Sequence, residues 1–190
     1  VADISVVSKF FQKKHKTSTI FYKNLHFLKK KDIDQFDLFI FHGGKQSANS
    51  KSKAISYEYK FLNYIIKKNK QIVGICLGAQ LIAKIFGSKI SKSKTKLFEC
   101  GYKKNLKNNN KVFKDNLSFL QFHTDGISYN KNMELLSKGI LYEVDSFKIK
   151  RKDIYGFQFH PEVTSNTIKR WHDIVKLKYP YIDLSLIHIS

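Results

Sequence analysis

Three side chains in this sequence have the types and settings for acyl-transfer chemistry: Cys76, His160 and Glu162. Cys76 ends the run Gln71-Ile72-Val73-Gly74-Ile75 and opens Leu77-Gly78-Ala79-Gln80. Ile72, Val73 and Ile75 are β-branched and apolar, as a buried strand prefers. From Leu77 the period changes: Leu77, Leu81, Ile82 and Ile85 recur at helical spacing, and Gly87 falls where a helix would end. The cysteine is therefore expected in a strand-to-helix turn, the setting of a nucleophile elbow. There the positive end of the helix dipole favours negative charge on the sulfur, and the next amide, that of Leu77, can donate to an oxyanion. His160 follows the apolar run Ile154 to Phe159. Glu162 lies two residues on, with Pro161 stiffening the turn between them. A histidine so placed can take the proton of a thiol and return it to a leaving amine, and the carboxylate can orient the imidazole. Taken singly, Cys76 reads equally as a buried structural cysteine and His160 as an ordinary loop histidine. Only the fold can bring them together.

The elements that would do so alternate. Residues 1–14 read as an amphipathic helix with Ile4, Val7 and Phe11 on one stripe. Residues 17–22 read as a strand, being β-branched and aromatic. Asp37 to Phe41 reads as a second strand leading into His42-Gly43-Gly44, followed by a polar loop from Lys45 to Lys53. Ile55, Tyr59, Leu62, Ile65 and Ile66 mark a helix of about 15 residues. After Ser88 the texture changes. Residues 102–116 are rich in lysine and asparagine around Val112 and Phe113, and suggest hairpin-like strands with a tip near Lys107 to Asn110. Leu117 to Phe122 reads as a strand ending at His123-Thr124-Asp125-Gly126. Short strands are expected between Leu135 and Ser146, then a strand from Ile154 to Phe159 and a closing helix over 165–178 with Ile168, Trp171, Val175 and Leu177. Alternation of strands and helices argues for an α/β fold with a mainly parallel sheet, whose strand ends would present Cys76 and His160 on one edge.

Composition narrows the classes. A chain of 190 residues with 42% hydrophobic content suits one domain with its own core. No run approaches the length of a membrane span. Cys76 and Cys100 form neither a disulfide framework nor a CxxC pair, so a reducing, cytoplasmic setting is expected. The formal charge is +20, but Arg151 and Arg170 are the only arginines. Bidentate phosphate and guanine contacts favour arginine, and the lysines are scattered along the chain. The charge thus reads as a solvated surface rather than a nucleic-acid face.

Gly74-Ile75-Cys76-Leu77-Gly78-Ala79-Gln80 together with Gly156-Phe157-Gln158-Phe159-His160-Pro161-Glu162 resembles the paired signature of class I glutamine amidotransferases. Gly43-Gly44 is similar to the family's oxyanion-strand motif, and Phe122-His123-Thr124-Asp125 to a segment lining the glutamine pocket. Phe98-Glu99-Cys100-Gly101-Tyr102 falls where stand-alone members often carry an acidic residue, a glycine and an aromatic. Val163-Thr164 and Arg170-Trp171 are similar to stand-alone relatives of the amidotransferase domain of GMP synthase. The resemblance covers roughly residues 1–178. It implies an open three-layer sandwich of flavodoxin-like architecture with a mainly parallel central sheet. Two departures stand out. Lys45 replaces a proline common after the paired glycines, adding positive charge near the pocket mouth. The family's opening hydrophobic strand is missing ahead of the first helix, so residues 1–183 are expected to be a single, N-terminally truncated domain. Residues 184–190 match nothing in the family and read as a non-native tail.

The resemblance also implies roles. Cys76 would attack the γ-carboxamide of glutamine, His160 would act as base and then acid, and Glu162 would orient it. Amides near Gly43 and Gly44 and at Leu77 would bind the oxyanion. Gln80, His123 and Asp125 would grip the substrate's amino-acid end. No metal and no cofactor are implied. Ammonia would pass to a separate synthetase subunit, since this sequence shows no P-loop or ATP-pyrophosphatase segment. The same three residues would equally serve a hydrolase of another γ-glutamyl compound, a peptide or an amine adduct. A reading from a different class is a non-catalytic basic binding module on the same scaffold; the presence of Cys76, His160 and Glu162 together argues against it.

Overall fold

Amphipathic and apolar segments condense, among the described residues, into five α-helices, one 3-10 turn and ten strands. The computed structural model describes residues 4–93, 98–104, 107–108, 112–113 and 117–178. Helix α1 (Ile4–Gln12) is followed by the 3-10 turn Tyr22–Phe27 and the short helix α2 (Lys30–Asp34), whose start is held by the Lys29 amide donating to Asp32 Oδ2 at 3.0 Å. Strand β1 (Leu38–Phe41) leads to helix α3 (Lys53–Lys67), where Ser52 Oγ accepts from the Ile55 amide and Ile55, Leu62 and Ile65 are buried. Strand β2 (Gln71–Ile75) and helix α4 (Leu77–Ile85) follow with Cys76 between them. Then come β3 (Ile90–Lys92), β4 (Glu99–Lys104), β5 (Lys107–Asn108), β6 (Ser118–His123), β7 (Asp125–Ile127), β8 (Met133–Lys138), β9 (Ser146–Ile149), β10 (Ile154–Phe157) and helix α5 (Ser165–Lys178).

The main sheet has the order β1-β2-β10-β9-β8-β5. Its site-bearing part, β1, β2 and β10, is parallel; β9, β8 and β5 extend it antiparallel. Registers Phe41↔Gly74 and Phe157↔Ile75 bring three carboxyl ends nearly level, so residues 42–44, 76 and 158–160 emerge along one edge. Two strand pairs, β3 with β7 and β4 with β6, stand apart from that sheet.

Helices α3 and α4 pack on one another and on the sheet through a core that includes Leu62, Ile65, Ile72, Leu81, Ile82, Phe147 and Ile154, all essentially inaccessible. Full burial of each such side chain stabilises by roughly 1.5–3 kcal/mol. A separate aromatic cluster gathers Phe113, Phe119, Phe157 and Phe159, with Phe119 and Phe159 stacked at 4.0 Å between centroids. It anchors the backbone just ahead of His160. Ile168 and Trp171 of α5 pack against Leu120 of β6.

Residues 17–22 are not a strand: 17–21 are irregular and the 3-10 turn begins at Tyr22. β-branched character alone did not secure pairing there, because strand propensity needs a neighbouring edge to be realised. The last strand ends at Phe157 rather than Phe159, since the chain bends at Gln158 to bring His160 back onto Leu120. Lys107–Asn108, expected at a hairpin tip, pair instead with β8; the rest of that tip, and the 184–190 tail, lie outside the described residues.

Candidate active site

The elbow at Cys76 is built by close packing. Cys76 has φ 51° and ψ −107°, a left-handed backbone for a residue with a side chain, and such a conformation costs of order 1–3 kcal/mol that its surroundings must offset. Its amide donates to Phe157 O at 2.8 Å and its carbonyl accepts from the Gln80 amide at 3.0 Å, so the turn is tied both to β10 and to α4. Glycines on either side permit the approach. A Cβ on Gly74 would stand 2.6 Å from Ala79 N, and one on Gly78 would stand 2.4 Å from Phe41 O. Neither contact is possible for a real side chain, so α4 can lie this close to β1 and β2 only with glycine at both places. Cys76 is 7% exposed.

His160 reaches the same edge from β10. Its amide donates to Leu120 O at 2.9 Å, and its ring Nδ1 lies 2.9 Å from Glu162 Oε1. Because a carboxylate oxygen only accepts, Nδ1 carries the proton and Nε2 is left for another partner. The edge of Trp171 packs on the imidazole at 4.8 Å and 79°. Gly43, just past β1, closes the site: a Cβ there would lie 2.8 Å from His160 Cε1, 3.7 Å from its Nε2 and 3.4 Å from Cys76 Cβ. Gly43 therefore touches both residues at once, and Cys76, His160 and Glu162, scattered in sequence, form one buried cluster. Burial alone would lower the His160 pKa; charge on Cys76, hydrogen bonding to Cys76, and Glu162 together raise it to about 10.

The expected pocket residues gather around this cluster. Gly43, Gly44, Leu77, Gln80, His123 and Asp125 all line a cavity of about 1590 Å³ that also touches Cys76 and His160 and extends along β1, the outermost described strand on that side. Lys45, exposed, lines it too. Gly44 and Leu77 are in close contact, since a Cβ on Gly44 would be 2.8 Å from Leu77 Cδ2. Gln80 has its amide nitrogen engaged, donating to Asp125 O at 2.8 Å and Gln158 Oε1 at 3.2 Å. His123 Nδ1 lies 3.0 Å from the same Asp125 carbonyl, and Asp125 Oδ2 accepts from Ser47 Oγ at 2.7 Å. These polar atoms thus hold the pocket wall together as well as lining it.

Several participants were not legible from sequence. Ser47 sits in a polar loop where nothing marks it. Trp171 read as helix core, yet it also lines the cavity. His42 immediately precedes the paired glycines; burial lowers its pKa, opposed by Glu162 and reinforced by His160. Cys100 is a poor thiolate: burial pushes its pKa up to about 11 despite the Gly101 amide and Lys103. Both cysteines are free thiols. Among the described residues no group of three His, Cys, Asp or Glu is placed to hold a metal, and no helix is long and apolar enough to cross a membrane.

The glutamine amidotransferase class-I family model matches residues 5–172. The glutamine-hydrolyzing GMP synthase subunit of Methanobrevibacter smithii is 38% identical over 104 residues, covering 53% of this chain and 54% of that one. The glutamine-hydrolyzing GMP synthase of a Wolbachia from Brugia malayi is 28% identical over 182 residues, covering 88% of this chain and 34% of its own length. The matched segment spans about half the length of such stand-alone GMP synthase subunits. A glutamine amidotransferase crystal structure from Thermotoga maritima superposes with a TM-score of 0.80 at 26% identity, covering 94% of this chain and 80% of that one.

Proposed function

The chain belongs to the class I glutamine amidotransferases, and from that premise we propose that it hydrolyses the γ-amide of glutamine through Cys76, His160 and Glu162. With the thiol proton held on His160 Nε2, Cys76 Sγ attacks the γ-carbonyl carbon. The tetrahedral oxyanion is met by the Leu77 amide and by amides of the 43–44 segment. Collapse breaks the C–N bond as His160 returns the proton to nitrogen, releasing ammonia and leaving a γ-glutamyl thioester. Water, deprotonated by His160, then attacks the thioester; the C–S bond breaks, glutamate leaves and Cys76 is restored. Glu162 holds the imidazole in the tautomer this cycle needs, with Nδ1 protonated and Nε2 facing the thiol.

The observation that carries this reading is the packing at Gly43, whose backbone abuts both Cys76 and His160, while Glu162 takes the His160 Nδ1. The test is release of glutamate and ammonia from glutamine by the purified chain, absent in Cys76→Ala. By likeness to a relative named as a glutamine-hydrolyzing GMP synthase subunit, the ammonia is proposed to pass to a synthetase unit in a cytoplasmic setting. A second reading keeps the same three residues for hydrolysis of a γ-glutamyl peptide or amine. Assaying a panel of γ-glutamyl compounds beside glutamine separates the two.

A further inference from the structure

One buried acidic residue next to this site has no part in the chemistry just described. Glu99, 4% exposed, lies directly opposite His123 in the β4–β6 pair, so the two side chains share a face. Glu99 Oε2 is 3.4 Å from His123 Nε2. The other ring nitrogen, Nδ1, donates to Asp125 O at 3.0 Å, a carbonyl that Gln80 Nε2 also holds at 2.8 Å. Gln121 Oε1 lies 2.9 Å from His123 Nε2, and Gln121 Nε2 donates to Asp145 Oδ1 at 2.8 Å. His123, Thr124 and Asp125 line the cavity and Glu99 stands behind them. Their turn is fastened from its other side as well. Tyr142 Oη donates to Thr124 O, and its ring fills the space a side chain on Gly126 would need.

We propose that Glu99 is a specificity-determining positioning residue: across the β4–β6 pair it fixes the His123 ring, and through that ring the 123–125 turn that walls the substrate cavity. Glu99 and His123 set a buried carboxyl beside a buried imidazole at 3.4 Å. This avoids the cost of an isolated buried ion. Burial raises Glu99, opposed by the Leu141 amide and Lys103, and burial lowers His123 to about 4, opposed by its hydrogen bond to Asp125 O and reinforced by His160. Without Glu99, Nε2 keeps only Gln121 Oε1, the ring is free to change tautomer, and the Asp125 carbonyl loses one of its two donors. Glu99 is not among the groups that act on His160, so the damage is expected in substrate binding.

The inference rests on the proposed γ-glutamyl hydrolysis, and the experiment separates the two. Parent, Glu99→Ala and Glu99→Gln are compared for KM, kcat, thermal midpoint and the rate at which iodoacetamide alkylates Cys76. The expected result for Glu99→Ala is a KM raised on the order of tenfold or more, the size of one lost hydrogen bond to a charged or proton-sharing group. Its kcat and alkylation rate should stay within about twofold of the parent. Glu99→Gln, which keeps a donor to Nε2, should recover most of the loss. Unchanged KM in Glu99→Ala overturns the proposal, as does a fall in kcat and alkylation rate in step with lost stability, or failure of Glu99→Gln to rescue. A parent that hydrolyses no γ-glutamyl compound overturns the functional reading instead. The ring is then read directly by imidazole nitrogen NMR of His123: a tautomer change in Glu99→Ala upholds the positioning role, and an unchanged spectrum refutes it.

Discussion

Gly43 and His160 meet edge to backbone: a Cβ on residue 43 would stand 2.8 Å from the imidazole Cε1. The ring can occupy its place between Cys76 and Glu162 only because residue 43 has no side chain. The turn after β1 is thus one wall of the proposed catalytic cluster, in addition to its proposed role in binding the oxyanion.

The substitution Gly43→Ala should therefore displace the His160 ring or the 43–44 backbone. The expected loss in kcat is on the order of 10²-fold or more, comparable to removing an oxyanion donor. Glutamate release under saturating substrate measures it, and a kcat within a few-fold of the parent would show that the contact is relaxed without consequence.

For Glu162→Gln the side chain keeps its shape but loses its charge. The tautomer with Nδ1 protonated is no longer enforced, and kcat should fall by up to roughly 10⁴-fold. Circular dichroism should show the fold retained. The kcat/KM profile against pH checks that the loss is in chemistry rather than in folding.

The pH dependence of stability follows from His160, whose pKa rises from 6.5 to about 10 on folding through Cys76 and Glu162, against the opposing effect of burial. Below about pH 6.5 both folded and unfolded states bind the proton, and the stabilisation is fully present. Between about pH 6.5 and 10 the unfolded state releases it first, so the contribution shrinks as pH rises, and it is gone above the folded value. The thermal midpoint of the parent minus that of His160→Gln should be largest near pH 6 and should fall toward pH 10; a constant difference would contradict the account.

Removing the aromatic anchor should act from a distance. Phe159 is wholly buried and stacks on Phe119 at 4.0 Å. Phe159→Ala is expected to cost about 3–5 kcal/mol by denaturant titration, and to loosen the turn that presents His160. Phe159→Leu, which fills most of the volume, should recover much of both.

What could be read from the sequence was what local pattern determines. The β2–Cys76–α4 elbow shows itself as β-branched residues giving way to helical periodicity, and both glycines that permit its packing are visible. The carboxyl-edge placement of His160 and Glu162 follows from an apolar run ending in a stiff turn. Residues 17–22 do not form the expected strand because, among the described residues, no strand edge pairs with them, and that is a tertiary fact. Ser47, Tyr142 and the Glu99–His123 contact were hidden for the same reason: each acts across strands or loops distant in sequence. Position 99 is marked only by the resemblance, and nothing in the local pattern points to His123 as its partner.

The most direct test of the central claim is glutamate release from glutamine and from a panel of γ-glutamyl compounds, by the parent and by Cys76→Ala, with mass spectrometry of the parent quenched during turnover. The account predicts release by the parent, loss of roughly 10⁶-fold in Cys76→Ala, and a γ-glutamyl adduct on the peptide containing Cys76. Equal release by the two proteins, or none by the parent from any compound with candidate synthetase partners present, would contradict it.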